Sequence, residues 1–403
     1  RTVALSVAVA MVWVTPVLGT DDSPAPPDAS MRSVVVDAWQ ADAGGPRTAQ
    51  RSASAASWEL SEPMPAGDAV LVGADWGGDA STEVQVRTRT ADGWSDWTEL
   101  HLHSEHAPDP GAAEAAGAST SSEPVWVGRV DQLQLRGQGD LEDVRLDLVE
   151  IPGDLAYDPG DPPAGSAVAA TEIPWIRPRS YWGADESLRE KKIDYADDVR
   201  FSVVHHEGGA PRWSQSDIQN GCKEAAAAIN AIYEYHTRGR GYWDIAYNFV
   251  VDPCGRIWEG RAGGMDEAVQ GAHAAGWNSG SVGVLALGTF SDGNSDPVTD
   301  DMVEGIERLL SWKLDHHHTD PRGTTREVAG GGGSNRYAEG TEVDVPILSA
   351  HQVTNHTTCP GGVLMDRLFD GHNTSATPTR SYANNVFSAG LPKAFDEQAA
   401  QWS

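Results

Sequence analysis

The apolar residues of this 403-residue chain change their spacing partway along its length. Before Ile151 they alternate with polar residues, which is the period of a strand with one buried face. After residue 172 they also recur at helical spacing. The stretch between, residues 152–171, is rich in Gly, Asp, Pro and Ala and has no period, which predicts a linker. This pattern predicts two domains of different fold class.

Residues 33–151 are predicted to form an all-β accessory domain, a sandwich or jelly roll of antiparallel strands. The dipeptide Asp92-Gly93 separates two alternating runs and is a hairpin signal. The apolar positions expected to face the core are Val84, Val86, Leu100, Leu102, Leu133, Leu135, Val144, Leu146 and Leu148. Six tryptophans leave two interpretations open, core filling or a flat platform for sugar rings: Trp39, Trp58, Trp76, Trp94, Trp97 and Trp126.

Residues 172–371 are predicted to form a mixed α/β domain with a central sheet flanked by helices. Short apolar runs predict strands at residues 201–204, 246–251 and 282–287. From Ser216 to His236, apolar residues recur every three or four positions, which indicates one face of a helix. Thr299, followed by two aspartates, is predicted to cap another helix.

The two ends of the chain are predicted to lie outside both domains. Residues 1–19 resemble a signal peptide, because Arg1 precedes an apolar run that is too short to span a membrane and contains Pro16. A membrane anchor is the alternative interpretation of this run. Residues 20–32 are predicted to be a linker and residues 372–403 a polar tail. We therefore expect an exported protein.

Charge and cysteine content limit the partners and the chemistry of the chain. The sequence has 59 Asp and Glu against 29 Lys and Arg, so the formal net charge is −30. This charge argues against nucleic acid or an anionic membrane as a partner held by general electrostatics. Of the three cysteines, two can pair in an exported protein, which leaves one for another task.

Two separated motifs place chemically active residues at the ends of predicted elements. A strand that should continue apolar ends in His205 and His206. Farther along, His351 stands eight residues before Cys359, which precedes a Pro-Gly pair and a predicted helix start. Each motif alone is weak, because a lone histidine is more often a core or surface residue and Cys359 could be a simple buried thiol.

With two further stretches, residues 246–251 and 271–279, these motifs resemble in order and spacing the type-2 N-acetylmuramoyl-L-alanine amidases. That family includes the phage lysozyme-type amidases and the animal peptidoglycan recognition proteins (PGRPs). The resemblance runs from about residue 177 to residue 369 and implies a PGRP-like fold. It also implies zinc-dependent hydrolysis of the amide between N-acetylmuramic acid and L-alanine in peptidoglycan, by a bacterial protein that is secreted, extracellular or associated with the cell wall.

The resemblance assigns roles to individual residues. It implies that His205, His351 and Cys359 bind one zinc ion per chain, an N and S donor set that zinc prefers and that leaves a fourth position for water. Tyr247 and Thr357 are expected to be catalytic, as hydrogen-bond donors to the oxyanion. Lysine replaces the threonine in the phage members of the family, whereas amidase-active recognition proteins have threonine there.

Further residues follow from the same resemblance. Three residues match substrate-contact positions, the last two with a structural role as an equal alternative: His206, His273 and Asn278. If Cys359 binds zinc, Cys222 and Cys254 remain, and an exported protein would join them in a disulfide. The expected partner is peptidoglycan, both glycan strand and stem peptide, with no nucleic acid and no stable membrane insertion, and we expect a monomer.

Two alternative functions belong to other classes. A non-catalytic peptidoglycan-binding recognition protein would share the fold, but non-catalytic relatives typically lose the cysteine that this chain has as Cys359. A wall-carbohydrate adhesin would make the β domain the principal functional part, with the amidase domain as an accessory.

Overall fold

The structure is a computed structural model that describes residues 25–41, 58–77, 82–102, 105–119, 121–139, 141–158, 160, 174–209 and 212–389. The predicted signal peptide, residues 1–19, lies outside these residues. Within them, no helix combines the length and the apolar character that crossing a membrane requires. The described residues form an all-β domain followed by a mixed α/β domain, as the change in periodicity predicts.

The first domain is a sandwich of two antiparallel sheets. Its described strands are β1 (Ser30–Val35), β2 (Trp39–Ala41), β3 (Glu59–Ser61), β4 (Met64–Pro65), β5 (Ala69–Gly77), β6 (Glu83–Thr90), β7 (Gly93–Trp94), β8 (Thr98–Leu100), β9 (Val125–Trp126), β10 (Gln132–Gln138) and β11 (Glu142–Glu150). One sheet has the order β1-β11-β5-β9. The other has the order β2-β3-β10-β6-β7, with β4 beside β10 and β8 beside β6. The pairing of β6 with β7 confirms the hairpin predicted at Asp92-Gly93.

The alternating positions fill the sandwich core. The predicted residues that are buried there are Val84, Val86, Leu100, Leu133, Leu135, Val144, Leu146 and Leu148. The expectation for Leu102 is wrong: it is 39% exposed, because the chain leaves the sheet there and Leu102 forms only an isolated bridge with Ser122. The rings of Trp94 and Trp97 each lie 4.5 Å from the guanidinium of Arg87, so a cation lies over one face of each ring.

The second domain has a mixed central sheet of order β12-β15-β14-β16-β13-β21. Its strands are β12 (Ile176–Arg177), β13 (Phe201–His206), β14 (Phe249–Val251), β15 (Ile257–Glu259), β16 (Ser281–Ala286), β17 (Phe290–Ser291), β18 (Asn294–Ser295), β19 (Thr324–Val328), β20 (Glu342–Pro346), β21 (Leu348–Ala350), β22 (Phe369–Asp370) and β23 (Thr377–Pro378). Its α-helices are α1 (Gln215–Gln219), α2 (Ala225–Glu234), α3 (Asp300–His316), α4 (His351–Thr354), α5 (Gly362–Leu368) and α6 (Arg380–Ala389). Short 3-10 helices occupy Glu114–Ala116, Arg179–Trp182 and Asn373–Ser375, and a π-helical turn, Tyr235–Gly239, extends α2.

The helices differ from the sequence prediction in one place. The pattern from Ser216 to His236 predicts one helix, but the structure has α1 and α2 with a break at Gly221 and Cys222, both at positive φ. Cys222 forms the predicted disulfide with Cys254. The predicted cap of α3 is confirmed, because Oγ1 of Thr299 accepts a hydrogen bond from a backbone N–H of the first turn at 3.0 Å.

The two faces of the central sheet pack against different partners. On one face, α3, α5 and α6 form a core with the strands of the second domain alone. On the other face, the buried alanines of α2 pack in one cluster with Val70, Leu71 and Val149 of the sandwich. Tyr235 extends this shared core across β5. The hydroxyl of Tyr235 lies so close to Gly73 that a Cβ added to this glycine would be 2.1 Å from the hydroxyl oxygen. The second face is therefore completed by the first domain.

The predicted domain boundaries are too narrow. Strand β1 begins at Ser30, inside the predicted linker 20–32, because its residues pair with β11. Leu155, inside the predicted linker 152–171, is buried in the shared core. Part of the predicted tail 372–403 is also structural, since α6 buries Tyr382 and Val386 against the core next to α3.

Candidate metal centre

Four buried side chains with metal-binding atoms meet at one edge of the central sheet. They are His106, His205, His351 and Cys359, and one donor atom of each lies within 4.8 Å of the others. Imidazole nitrogen and thiolate sulfur are donors that zinc prefers, so this set fits a tetrahedral zinc site. Three of the four are the ligands implied by the sequence, whereas His106 comes from the first domain.

Parallel strand pairing places His205 beside His351. In the register of β13 and β21, Val204 pairs with Ala350, and each of these two residues is followed in the chain by one of the histidines. Their ring centroids lie 4.5 Å apart. His351 is also the first residue of α4. The carboxyl ends of neighbouring parallel strands thus bring both imidazoles to the same edge of the sheet.

His205 has a defined orientation. Its Nδ1 faces the cluster and lies 3.7 Å from Sγ of Cys359, whereas its Nε2 lies 3.0 Å from Nδ1 of His273. His273 is held in turn by Ser281, whose Oγ lies 3.4 Å from its Nε2. These contacts fix the ring of His205 and leave its Nδ1 as the donor atom for a metal.

His351 provides the test of whether a metal fits. Its side chain is fully buried, and neither ring nitrogen has a hydrogen-bond partner within the described part of the chain. Burying polar atoms without a partner costs free energy, so native proteins rarely do it. A metal ion in the cluster would give His351 the missing partner, and the residues present therefore fit zinc.

Cys359 lies in the turn before α5. Its Sγ accepts a hydrogen bond from the backbone N–H of His206 at 3.3 Å, and its own N–H donates to Oγ1 of Thr357 at 3.1 Å. Gly361 follows at a φ of 87°, where an added Cβ would lie 2.3 Å from the carbonyl oxygen of Phe290. Only glycine fits there, and the close approach holds the cysteine turn against β17.

Burial sets the protonation states of the cluster. It lowers the pKa of His205 and of His351 well below 6.5, and the neighbouring imidazoles add to the effect. Both rings are therefore neutral, which is the form that binds metals. Burial raises the pKa of the Cys359 thiol, whereas a bound cation acts in the opposite direction and favours the thiolate.

The predicted catalytic tyrosine stands beside the cluster. The ring centroid of Tyr247 lies 5.4 Å from that of His205. Its side chain is buried, and burial raises the pKa of the phenol well above 10. The hydroxyl is therefore protonated and able to donate a hydrogen bond at neutral pH.

A cleft of about 310 Å³ opens next to the cluster, between the two domains. From the second domain it is lined by His206, Thr357 and Cys359. Nδ1 of His206 accepts a hydrogen bond from the backbone N–H of Phe290 at 3.1 Å, and burial lowers the pKa of its ring to about 3. His206 is thus a neutral wall residue, and the partly exposed Thr357 presents its side chain to the same space.

The two other residues that match substrate-contact positions are fully buried. His273 lies behind His205, as described, and has no exposed surface. Oδ1 of Asn278 accepts hydrogen bonds from the backbone N–H groups of His273 at 2.8 Å and Ala274 at 3.0 Å. In this arrangement both residues hold other parts of the site in place, and neither reaches the cleft.

Sequence reasoning missed His106. It precedes His205 by 99 residues and lies in a segment where the strand period is interrupted. The only local signal is composition: His101, His103 and His106 place three of the 13 histidines of the chain within six residues. A cluster of potential metal ligands in an otherwise acidic β domain could have suggested a role at the site.

Family models match both domains. A model described as N-acetylmuramoyl-L-alanine amidase matches residues 195–362, and one described as Rv3811 N-terminal galactose-binding domain-like matches residues 46–152. Among curated proteins, peptidoglycan-recognition protein SC2 of Drosophila melanogaster is 28% identical over 193 residues, which are 47% of this chain and 82% of that protein. Peptidoglycan recognition protein 1 of Mus musculus is 31% identical over 124 residues, 30% of this chain and 61% of that protein.

Solved structures of similar proteins include animal and bacterial examples. Wild-type Drosophila PGRP-LB is 22% identical, with a TM-score of 0.35 over 48% of this chain and 91% of that chain. The endolysin N-acetylmuramoyl-L-alanine amidase LysCS from Clostridium intestinale is 19% identical, with a TM-score of 0.32 over 48% of this chain and 91% of that chain.

Proposed function

We propose, on the premise that this chain carries a type-2 amidase domain of the family that includes the PGRPs, that it is a zinc-dependent N-acetylmuramoyl-L-alanine amidase. The bond hydrolysed is the amide between the lactyl group of N-acetylmuramic acid and L-alanine. The enzyme itself would be secreted or associated with the cell wall. The proposal rests on one observation: His205, His351 and Cys359 place their metal-binding atoms close together. Within this cluster His351 is buried, and neither of its ring nitrogens has a hydrogen-bond partner among the described residues.

The metal would be held by these three residues. When bound, zinc supplies a Lewis acid that polarises the amide carbonyl and lowers the pKa of water. The protein contributes orientation: His273 holds Nε2 of His205, and the N–H of His206 holds the sulfur of Cys359. Positions fixed in this way before substrate arrives reduce the reorganisation that the reaction requires.

Tyr247 and Thr357 would stabilise the negative charge that develops on the carbonyl oxygen. Tyr247 is protonated and buried beside His205, where the local dielectric is low and a hydrogen bond is strong. Oγ1 of Thr357 already accepts a bond from the N–H of Cys359, which leaves its own hydroxyl proton free to donate toward the cleft.

A second function is favoured by one observation. With His106 the cluster contains four protein donors, the number typical of a structural zinc site. A structural zinc would tie the two domains together, and the chain would then bind peptidoglycan without cleaving it.

The first experiment measures zinc content and release of L-alanine amino termini from a soluble muropeptide, for the natural sequence and for Cys359→Ala. One zinc per natural chain, with weaker zinc binding and no cleavage in the variant, supports the amidase. A bound zinc with no cleavage under any condition, including in chains from which His106 has been removed, supports the recognition protein.

A further inference from the structure

A segment of the first domain lies across the metal cluster. We call residues 105–119, which connect the region after β8 to the region before β9, the strap. The strap leaves the sandwich, crosses the second domain, and forms one short 3-10 helix, Glu114–Ala116, on the way. It brings His106 into the cluster and buries that side chain almost completely.

The position of His106 is that of a metal ligand. Its Nε2 lies 3.2 Å from Nδ1 of His205, and its ring centroid lies 4.6 Å from that of His351. Donor atoms of a tetrahedral zinc are about 3.3–3.6 Å apart, given Zn–N bonds of about 2.0 Å and Zn–S bonds of about 2.3 Å. The separation from His205 is therefore close to the spacing of two ligands of the same ion.

The other nitrogen of His106 faces a carboxylate. Its Nδ1 lies 3.2 Å from Oε1 of Glu123, which follows the strap. A carboxylate beside one ring nitrogen favours the tautomer with the proton there, and the lone pair of Nε2 then points at the cluster. The contact is electrostatic, since Nδ1 of His106 has no aligned hydrogen-bond partner in the described part of the chain. A carboxylate beside the second ring nitrogen is nevertheless a common feature of metal-binding histidines.

Asp109 anchors the strap next to His106. Its Oδ1 accepts hydrogen bonds from the backbone N–H of Gly276 at 2.8 Å, the N–H of Asn278 at 3.1 Å, and Nδ2 of Asn278 at 2.7 Å. The same Nδ2 donates to the carbonyl oxygen of Ala107 at 2.9 Å. Because Oδ1 of Asn278 also accepts from the N–H of His273, these bonds connect the strap to the residue that orients His205.

Glu114 anchors the far end of the strap. Its Oε2 accepts a hydrogen bond from Nη1 of Arg261 at 3.0 Å, and its Oε1 accepts one from the backbone N–H of Trp243 at 2.9 Å. Both charged side chains are buried, and removing one partner of such a pair leaves the other charge uncompensated. The strap is thus held by specific contacts at both ends, with His106 near the first.

We propose that His106 is a fourth protein ligand of the metal and that the strap holds the amidase in a latent state. The inference rests on the proposed function. Four protein ligands fill the position that water and the substrate carbonyl need. The strap is a connection between strands, so it can move away while the sandwich sheets remain paired. Release of His106 then opens the fourth position of the metal.

The test is X-ray absorption spectroscopy at the zinc edge of the full chain, loaded with one zinc. The number of imidazoles, read from outer-shell scattering, is expected to be three in the natural sequence and two in His106→Ala and His106→Gln. His101→Ala is the matched control, because His101 is a half-exposed histidine of the same domain outside the cluster, and three imidazoles should remain. Muropeptide cleavage should rise at least about ten-fold in both His106 variants, because the apparent rate depends on the fraction of chains in which the fourth metal position is open.

The outcomes separate the inference from the proposed function. Two imidazoles in the natural sequence, or three in both His106 variants, would overturn ligation by His106 and leave the amidase untouched. Three imidazoles falling to two with no gain in cleavage would establish the ligand and overturn latency. No zinc in any of the chains would instead overturn the proposed function.

Discussion

The four members of the metal cluster are held in two different ways. His205, His351 and Cys359 are fixed by the backbone of the second domain, through strand register and a constrained turn. His106 is held through contacts that the strap makes with a neighbouring domain. Moving any of the first three requires local unfolding of the central sheet or of its edge. Moving His106 requires breaking the side-chain contacts of the strap and its backbone hydrogen bonds to the second domain, such as the one from the N–H of Ala275 to the carbonyl oxygen of Glu105, while the central sheet stays paired.

The largest effect is expected from removing a ligand of the second domain. In Cys359→Ala made in the His106→Ala chain, where only His205 and His351 remain, zinc binding should be lost. Cleavage should fall more than about 1000-fold relative to His106→Ala, because the metal's contribution to transition-state stabilisation disappears. Zinc content by mass spectrometry and amine release from muropeptide check this together. Cleavage retained by a zinc-free Cys359→Ala chain would show that the cysteine is not part of the reactive site.

Tyr247→Phe separates catalysis from metal binding. Loss of one oxyanion donor should lower kcat about 100- to 1000-fold while zinc content stays at one per chain. The measurement is best made in His106→Ala chains, where the strap does not limit the rate. An unchanged kcat would remove Tyr247 from the oxyanion site, and a loss of zinc would assign it a structural role instead.

His273→Ala tests how the ligands of the second domain are oriented. The dissociation constant for zinc should rise about 10- to 100-fold, because Nε2 of His205 loses its partner. His236→Ala is the control, since His236 is also a buried histidine of this domain but bonds the N–H of Ala246. Equal zinc affinities for the two variants, by competition with a chelator, would contradict the orienting role of His273.

Glu114→Gln tests the strap without touching a ligand, and its effect should be the smallest. The neutral amide weakens the buried pairing with Arg261, so the rate of zinc transfer to a chelator should rise about ten-fold. Glu99→Gln makes the same charge change at a more exposed site on β8 and should leave that rate unchanged. If both variants release zinc at the natural rate, the strap does not protect the metal.

The same division explains what the sequence could predict. His351 and Cys359 lie in one short segment, and His205 ends a recognisable strand, so local pattern and spacing point to them. The position of His106 depends on how two domains pack, and the strap has no period that reports its path. The prediction that Leu102 is buried failed for a related reason, because the alternation of apolar and polar residues continues there after β8 has ended. The burial of α6 was equally hidden, since its polar sequence has only one narrow apolar face.

The alanine-rich start of α2 has a consequence for how such a chain can be divided. Residues 225–228 are all buried alanines, and they lie in one cluster with Val70, Leu71 and Val149. An amidase domain produced alone would present this apolar face to water and would tend to aggregate. Replacing either half by an unrelated module would expose these side chains unless the new neighbour covered them. The two halves should therefore be inherited as a unit and melt in a single cooperative transition.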